Sequence, residues 1–260
     1  MLGQPDPSDF SLSDHHPEAG GQLISRVLSP AVRLWLRSQV ESVARLEVQI
    51  QGSNRQILQG RIPQVAVIAQ QVVYQGLHLH HLELAAEQIH VNLGQVVKGK
   101  PLRLMEIVPV SGVLRLQQSD LNASVSAPLL ANALTEVVLL LLRQAPNPLP
   151  KEIAAALQTS DLRIEHPQIQ LATQQLLFNA YLSTPVRRLP VVLQTQVQLV
   201  GGARIQLLQP QLCQNDGPNS CCLVALNQVE IDLGPEVVIQ ELILEPGHLS
   251  CRGKANVIPA

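Results

Sequence analysis

Apolar and polar positions change their period along this chain, and each change marks an element. From residue 23 to 40 the sequence LISRVLSPAVRLWLRSQV sets Ile24, Val27, Ala31, Leu34 and Ser38 on one helical face and Arg26, Arg33 and Arg37 on another. That is the spacing of an amphipathic helix. Pro30 removes a backbone donor near its middle and predicts a kink or break there. From Leu46 the period falls to two, with Leu46, Val48 and Ile50 alternating with Glu47, Gln49 and Gln51. Strands are predicted from there to Gln117, most clearly over 65–70, 77–85, 88–93 and 108–116. Gly52, Ser53, Asn54, Gly76, Gly94 and the Gly-Lys-Pro at 99–101 separate them.

The helical period then returns. Ser119 and Asp120 are placed to cap a helix that runs, with a break at Pro128, through LLANALTEVVLLLLR to Arg143. It is apolar most of the way round, so it has to be buried. APNPLP at 145–150 reads as a turn, 151–157 as a short helix, and a second run of strands begins at Leu162 and continues to the end. Helix then strands, twice, at a spacing of roughly 95 residues suggests two similar halves, 23–117 and 118–260, of one domain. The halves share little residue identity, so any repeat is one of architecture. A long antiparallel sheet with one apolar face and a helix apolar nearly all round are both satisfied when the sheet curves round the helix. The expected class is therefore α+β, a strongly curved antiparallel sheet wrapped around long helices.

Composition narrows the function. The chain has 260 residues, 46% hydrophobic but only 2% aromatic, and 18 basic against 20 acidic side chains, a formal charge of −2. Nothing here attracts nucleic acid by charge, and five aromatic residues are too few for base-stacking platforms. Thirty glutamines supply much of the polar surface. Residues 1–22, acidic and rich in Pro, Ser and Gly, read as a disordered arm and lack the basic start and apolar run of a secretion signal. No apolar run reaches the ~18 to 20 residues that cross a bilayer. The expected location is cytoplasmic, or peripheral to the cytoplasmic face of a membrane. Cys213, Cys221, Cys222 and Cys251 make no CxxC pair and are expected as free, mostly buried thiols, with a local bridge across 215–220 or a metal as the alternatives.

A sheet that closes incompletely on a helix leaves an elongated channel, lined here by Leu, Val and Ile. At ~0.8 kcal/mol per buried CH₂, shielding ten methylenes is worth roughly 8 kcal/mol before ordering costs, enough for micromolar to millimolar binding of an acyl chain. The same residues can instead close into a dry core. The stretches ISRVLSPAVRLWLRSQV (24–40), VYQGLHL (73–79), VNLGQVVKGKPLRL (91–104) and SDLNASVSAPLLANAL (119–134) resemble the LmeA-like phospholipid-binding family. The resemblance implies a tubular-lipid-binding type of fold, a phospholipid ligand, and a role in lipid binding or envelope lipid metabolism.

Candidate residues follow. Leu130, Leu134, Val137, Val138 and Leu141 of the apolar helix are expected to line the acyl site. Lys98, Lys100 and Arg103, the densest basic cluster, lie on a Gly-containing turn suited to a headgroup phosphate. Arg33, Trp35 and Arg37 are expected to contact the membrane, with the indole at headgroup depth. Asp120 and Asn122 read as helix caps or loop anchors. His78 and His80 share a strand face but lack an evident third ligand, so no metal is expected. There is no GxSxG, HExxH, P-loop or GxGxxG sequence, and the expectation is a non-enzymatic protein without cofactor that binds or shuttles phospholipid at a membrane surface. The rival is a structural or assembly module with a closed core that recruits a protein partner.

Overall fold

The computed structural model describes residues 32–96, 100, 102–159, 161–214 and 221–259. The arm at 1–22 and residues 23–31 of the first expected helix, Pro30 among them, lie outside the described residues. Helix α1 (32–38) leads into β1 (Ser42–Gln51), α2 (Asn54–Leu58), β2 (Arg61–Tyr74), β3 (Leu77–His90), α3 (Leu93–Val96) and β4 (Val108–Gln117). Three helices follow, α4 (Gln118–Ser124), α5 (Pro128–Arg143) and α6 (Lys151–Ala156). The remaining strands are β5 (Arg163–Ala172), β6 (Gln175–Ser183), β7 (Arg188–Val200), β8 (Arg204–Gln214), β9 (Cys221–Ala225), β10 (Val229–Asp232), β11 (Val237–Glu245) and β12 (His248–Val257). The class is α+β, and the strands pair antiparallel.

Two sheets form, in the orders β1-β2-β3-β4-β12-β11 and β10-β8-β7-β6-β5, with β9 beside β8. The C-terminal hairpin leaves the second sheet and completes the first, β12 pairing with β4 from His248↔Gln117 to Val257↔Val108. Residues 23–117 therefore do not build the first sheet alone.

Three details differ from the periodicity. Strand β3 runs unbroken to His90, across the gap expected between 85 and 88, and Leu93 opens α3 instead of ending a strand. Ser53 and Gln56 form a capping box, which turns the expected break after β1 into α2. Helix α1 turns Val32 and Leu36 inward and leaves Leu34 71% exposed. The stripe Val32, Leu36, Val40 offers three apolar residues at a spacing of four, whereas Ala31, Leu34, Ser38 ends on a hydroxyl. The first stripe buries more apolar surface.

The break at Pro128 occurs where expected: Pro128 opens α5, and α4 and α5 meet at 89°. Helix α4 joins the sheets. The Ser124 Oγ accepts from the His78 N–H of β3 at 2.8 Å and donates to the Asp120 carbonyl. The Asn122 amide bonds both the N–H and the carbonyl of Ile169 in β5, at 2.8 and 3.0 Å, and the Gln118 Oε1 accepts from the Leu171 N–H. These bonds serve an edge strand's backbone from a helix, which also blunts that edge. The larger core lies between α5, α6 and the second sheet and takes in Leu142, Leu182, Val191 and Leu212, each no more than 1% exposed. A smaller core lies under α1, around Ile57, Ile62, Ile89 and Val108.

Candidate functional site

Alternation gives each strand of the first sheet one apolar side, and the register lines these sides into rows. One row reads Ile50, Val65, Ala86, Val110, Ala255, Val237 from β1 to β11. The next reads Val48, Val67, Leu84, Gly112, Gly253, Ile239. The third reads Leu46, Ala69, Leu82, Leu114, Cys251, Leu242. No charged side chain interrupts the rows. Five strand spacings make the field roughly 24 Å wide.

The two ends of the field are covered and its middle is not. Helix α1 packs Val32 and Leu36 over Val48, Val65 and Val67 on the β1–β3 side. At the other side Leu242, Leu244 and Leu249 join the larger core. Between them Leu84, Leu114, Leu116, Ile239 and Cys251 belong to neither core, and each is partly exposed. Gly112 and Gly253 face each other at the centre of this strip. A Cβ on Gly112 would lie 2.6 Å from Leu84 Cδ2, and one on Gly253 2.6 Å from the Val238 carbonyl oxygen, so the strands approach as only glycine allows. Apolar surface left in water forgoes about 25 cal/mol per Å², so an apolar ligand gains by covering the strip. Burial pushes the Cys251 thiol above its ordinary pKa, as expected for a group on an apolar floor.

The residues singled out by sequence fall in three places. Val138 and Leu141 are 3% exposed within the larger core, and Leu130, Leu134 and Val137 are half-buried against it. Lys98 lies outside the described residues. Lys100 and Arg103 are exposed; the Lys100 N–H donates to the Gln95 carbonyl, and Arg103 is held through its backbone by Asn92, whose Oδ1 accepts from the Arg103 N–H at 2.7 Å. Arg33 and Arg37 are exposed on α1 and Trp35 is half-buried. Asp120 accepts from the Gln117 N–H at 3.0 Å and so caps α4. His81 pairs with Glu83 at 2.7 Å and His90 with Glu106 at 3.0 Å. Among the described residues no three His, Cys, Asp or Glu side chains gather to hold a metal. The strip of Leu84, Leu114, Ile239 and Cys251 was not singled out. Its alternation is visible in the sequence, but nothing there shows that β12 lies beside β4.

Among the described residues no single helix is long and apolar enough to cross a membrane. The profile of the LmeA-like phospholipid-binding family matches residues 19–254, nearly the whole chain. No curated protein and no solved structure matches it.

Proposed function

Because the chain belongs to the LmeA-like phospholipid-binding family, we propose that it holds phospholipid acyl chains against the half-open rows of the first sheet and carries or presents the lipid unchanged. The observation that carries this reading is the strip of Leu84, Leu114, Ile239 and Cys251, aliphatic, partly exposed and outside both cores. An acyl chain needs no directional partner, only surface withdrawn from water, and at ~0.8 kcal/mol per methylene a strip this wide supplies it. On helix α5, Leu130, Leu134 and Val137 are half-buried and are assigned to the acyl chain, with Val138 and Leu141 supporting them from within the core. Lys98, Lys100 and Arg103 are assigned to the headgroup phosphate, and Arg33, Trp35 and Arg37 to the membrane surface.

The test replaces floor residues by larger ones. Leu114→Trp and Ala255→Trp should each lower uptake of a fluorescent phospholipid at least tenfold while the thermal unfolding temperature stays close to that of the parent. Uptake unchanged in both folded variants would sink the acyl site. A second reading, an assembly module, has its own observation: the first sheet ends on β11, whose backbone is met by the turns at Gly202 and Gln174 at only two points and whose Val238 and Ile243 are exposed. A stoichiometric protein partner held by this edge, together with a lipid-free chain, would favour it.

A further inference from the structure

Five large apolar side chains stand exposed at one end of the first sheet. Leu58 ends α2, Met105 and Ile107 lead into β4, and Val257 and Ile258 close β12 and the residue beyond it; each is between 41% and 65% exposed. The register places them together. Val257 pairs with Val108, next to Ile107. The Met105 N–H donates to the His90 carbonyl, and His90 pairs with Arg61 at the start of β2. The Val91 N–H donates to the carbonyl of Gly60, two residues after Leu58. Four adjacent strand ends therefore carry this rim, over roughly 14 Å.

The unpaired charges beside it are mostly positive, four cations against the carboxylate of Glu87 in the cleft. Arg55, Arg61, Lys100 and Arg103 are all exposed on the same turns, and none has an acidic partner among the described residues. By contrast Arg45, Arg115, Arg188, Arg204 and Arg252 on the strands are each paired with a glutamate. Glu106, the acid within the rim itself, lies 3.0 Å from His90 Nδ1. A cleft of about 460 Å³ opens here between Arg61, Pro63, Glu87, His90 and Glu106. The loops are held in place by their backbone: Asn92 clamps Arg103, and a Cβ on Gly60 would collide with the Val91 carbonyl. The inward positions of β12, Cys251, Gly253 and Ala255, continue at the same spacing to Val257, so the strip reaches the rim along β12, beside Val110 and Val108, which the smaller core takes in.

We propose that this end of the first sheet, with Leu58, Met105, Ile107, Val257 and Ile258 inserted and Arg55, Arg61, Lys100 and Arg103 on the phosphates, docks on an anionic lipid surface. Exposed aliphatic side chains beside unpaired cations are complementary to a bilayer interface, where acyl tails lie a few ångströms below negative headgroups. The choice of a lipid surface rests on the phospholipid-binding reading above. Docking here also gives the strip an acyl supply, since it reaches the rim along β12.

The experiment is flotation of the full chain with vesicles of phosphatidylcholine alone and of phosphatidylcholine mixed with phosphatidylglycerol. The parent should float with the mixed vesicles, and more salt should release it. Leu58→Ser/Ile107→Ser/Ile258→Ser should lower partition at least tenfold, and each of Arg61→Gln and Arg103→Gln about fivefold. A control double variant elsewhere on the surface, Tyr181→Ser/Val186→Ser, should partition as the parent does. Circular dichroism melting verifies that each variant is folded. Ala255→Trp should lose lipid uptake and still float, which separates failure of docking from failure of the acyl site. Rim and control variants that float equally well would overturn the proposal. So would a parent that ignores vesicles but elutes as a dimer that the rim substitutions dissociate, because the rim would then meet a second copy of the chain.

Discussion

Four residues inside strands take a left-handed backbone, and they explain where simple alternation fails. Gln71, Gln88, His166 and Gln209 have φ between 45° and 53°. In β5 the inward side passes from Ile164 to Ile169 and Leu171 across His166, and in β8 from Leu207 to Pro210 and Leu212 across Gln209. At Gln88 the buried position shifts in the same way, to Ile89. Each is a half-turn of phase that a period-two reading registers as a gap, and this is why 88–93 reads as a separate strand in the sequence. The residues after His166 and Gln209 are both proline, which marks a strand irregularity but not its handedness. Cys251 reports on the strip at this scale. Burial raises its pKa, so the native state favours the neutral thiol; that contribution is complete below the ordinary thiol range and is lost as pH rises through the raised value. Alkylation of Cys251, followed by peptide mass, should lag behind a free thiol until well into alkaline pH, and phospholipid loading should slow it further. An ordinary pH profile, indifferent to lipid, would place Cys251 away from the ligand.

Elements divide into those set by local signals and those set by packing. The α4–α5 break follows from Pro128, and α6 follows the turn at 145–150. The SDLN stretch at Ser119–Asn122 turns out to be structural, its Asn122 amide completing the edge of β5. The rotation of α1 was not legible, because Leu34 and Leu36 are equally apolar and only the sheet beneath decides which is buried. Helix α5 gives a contrast within one element. Leu142→Ala should cost about 2–5 kcal/mol, since Leu142 is 1% exposed and leaves a cavity. Leu134→Trp, at a half-buried position, should cost much less in chemical denaturation. Equal losses would show Leu134 to be as tightly packed as Leu142.

At the scale of the whole molecule, the class and the aliphatic character were readable, and the pairing order was not. Period-two segments announce strands without saying which lie side by side, and return of β11 and β12 to β4 depends on contacts across more than a hundred residues. The field of eighteen aligned positions exists only because of that return. So does the rim, whose Val257 and Ile258 stand beside Ile107 solely through the β12–β4 register. Both features follow from one topology: rows that α1 and the larger core cover at their two sides, open along the middle and reaching the rim along β12. The most direct measurement is native mass spectrometry of the chain purified from its own cells, followed by denaturing extraction of any adduct. A phospholipid released on denaturation, absent from Leu114→Trp and Ala255→Trp, is the predicted result. A bare chain mass that no phospholipid raises on incubation would contradict the account.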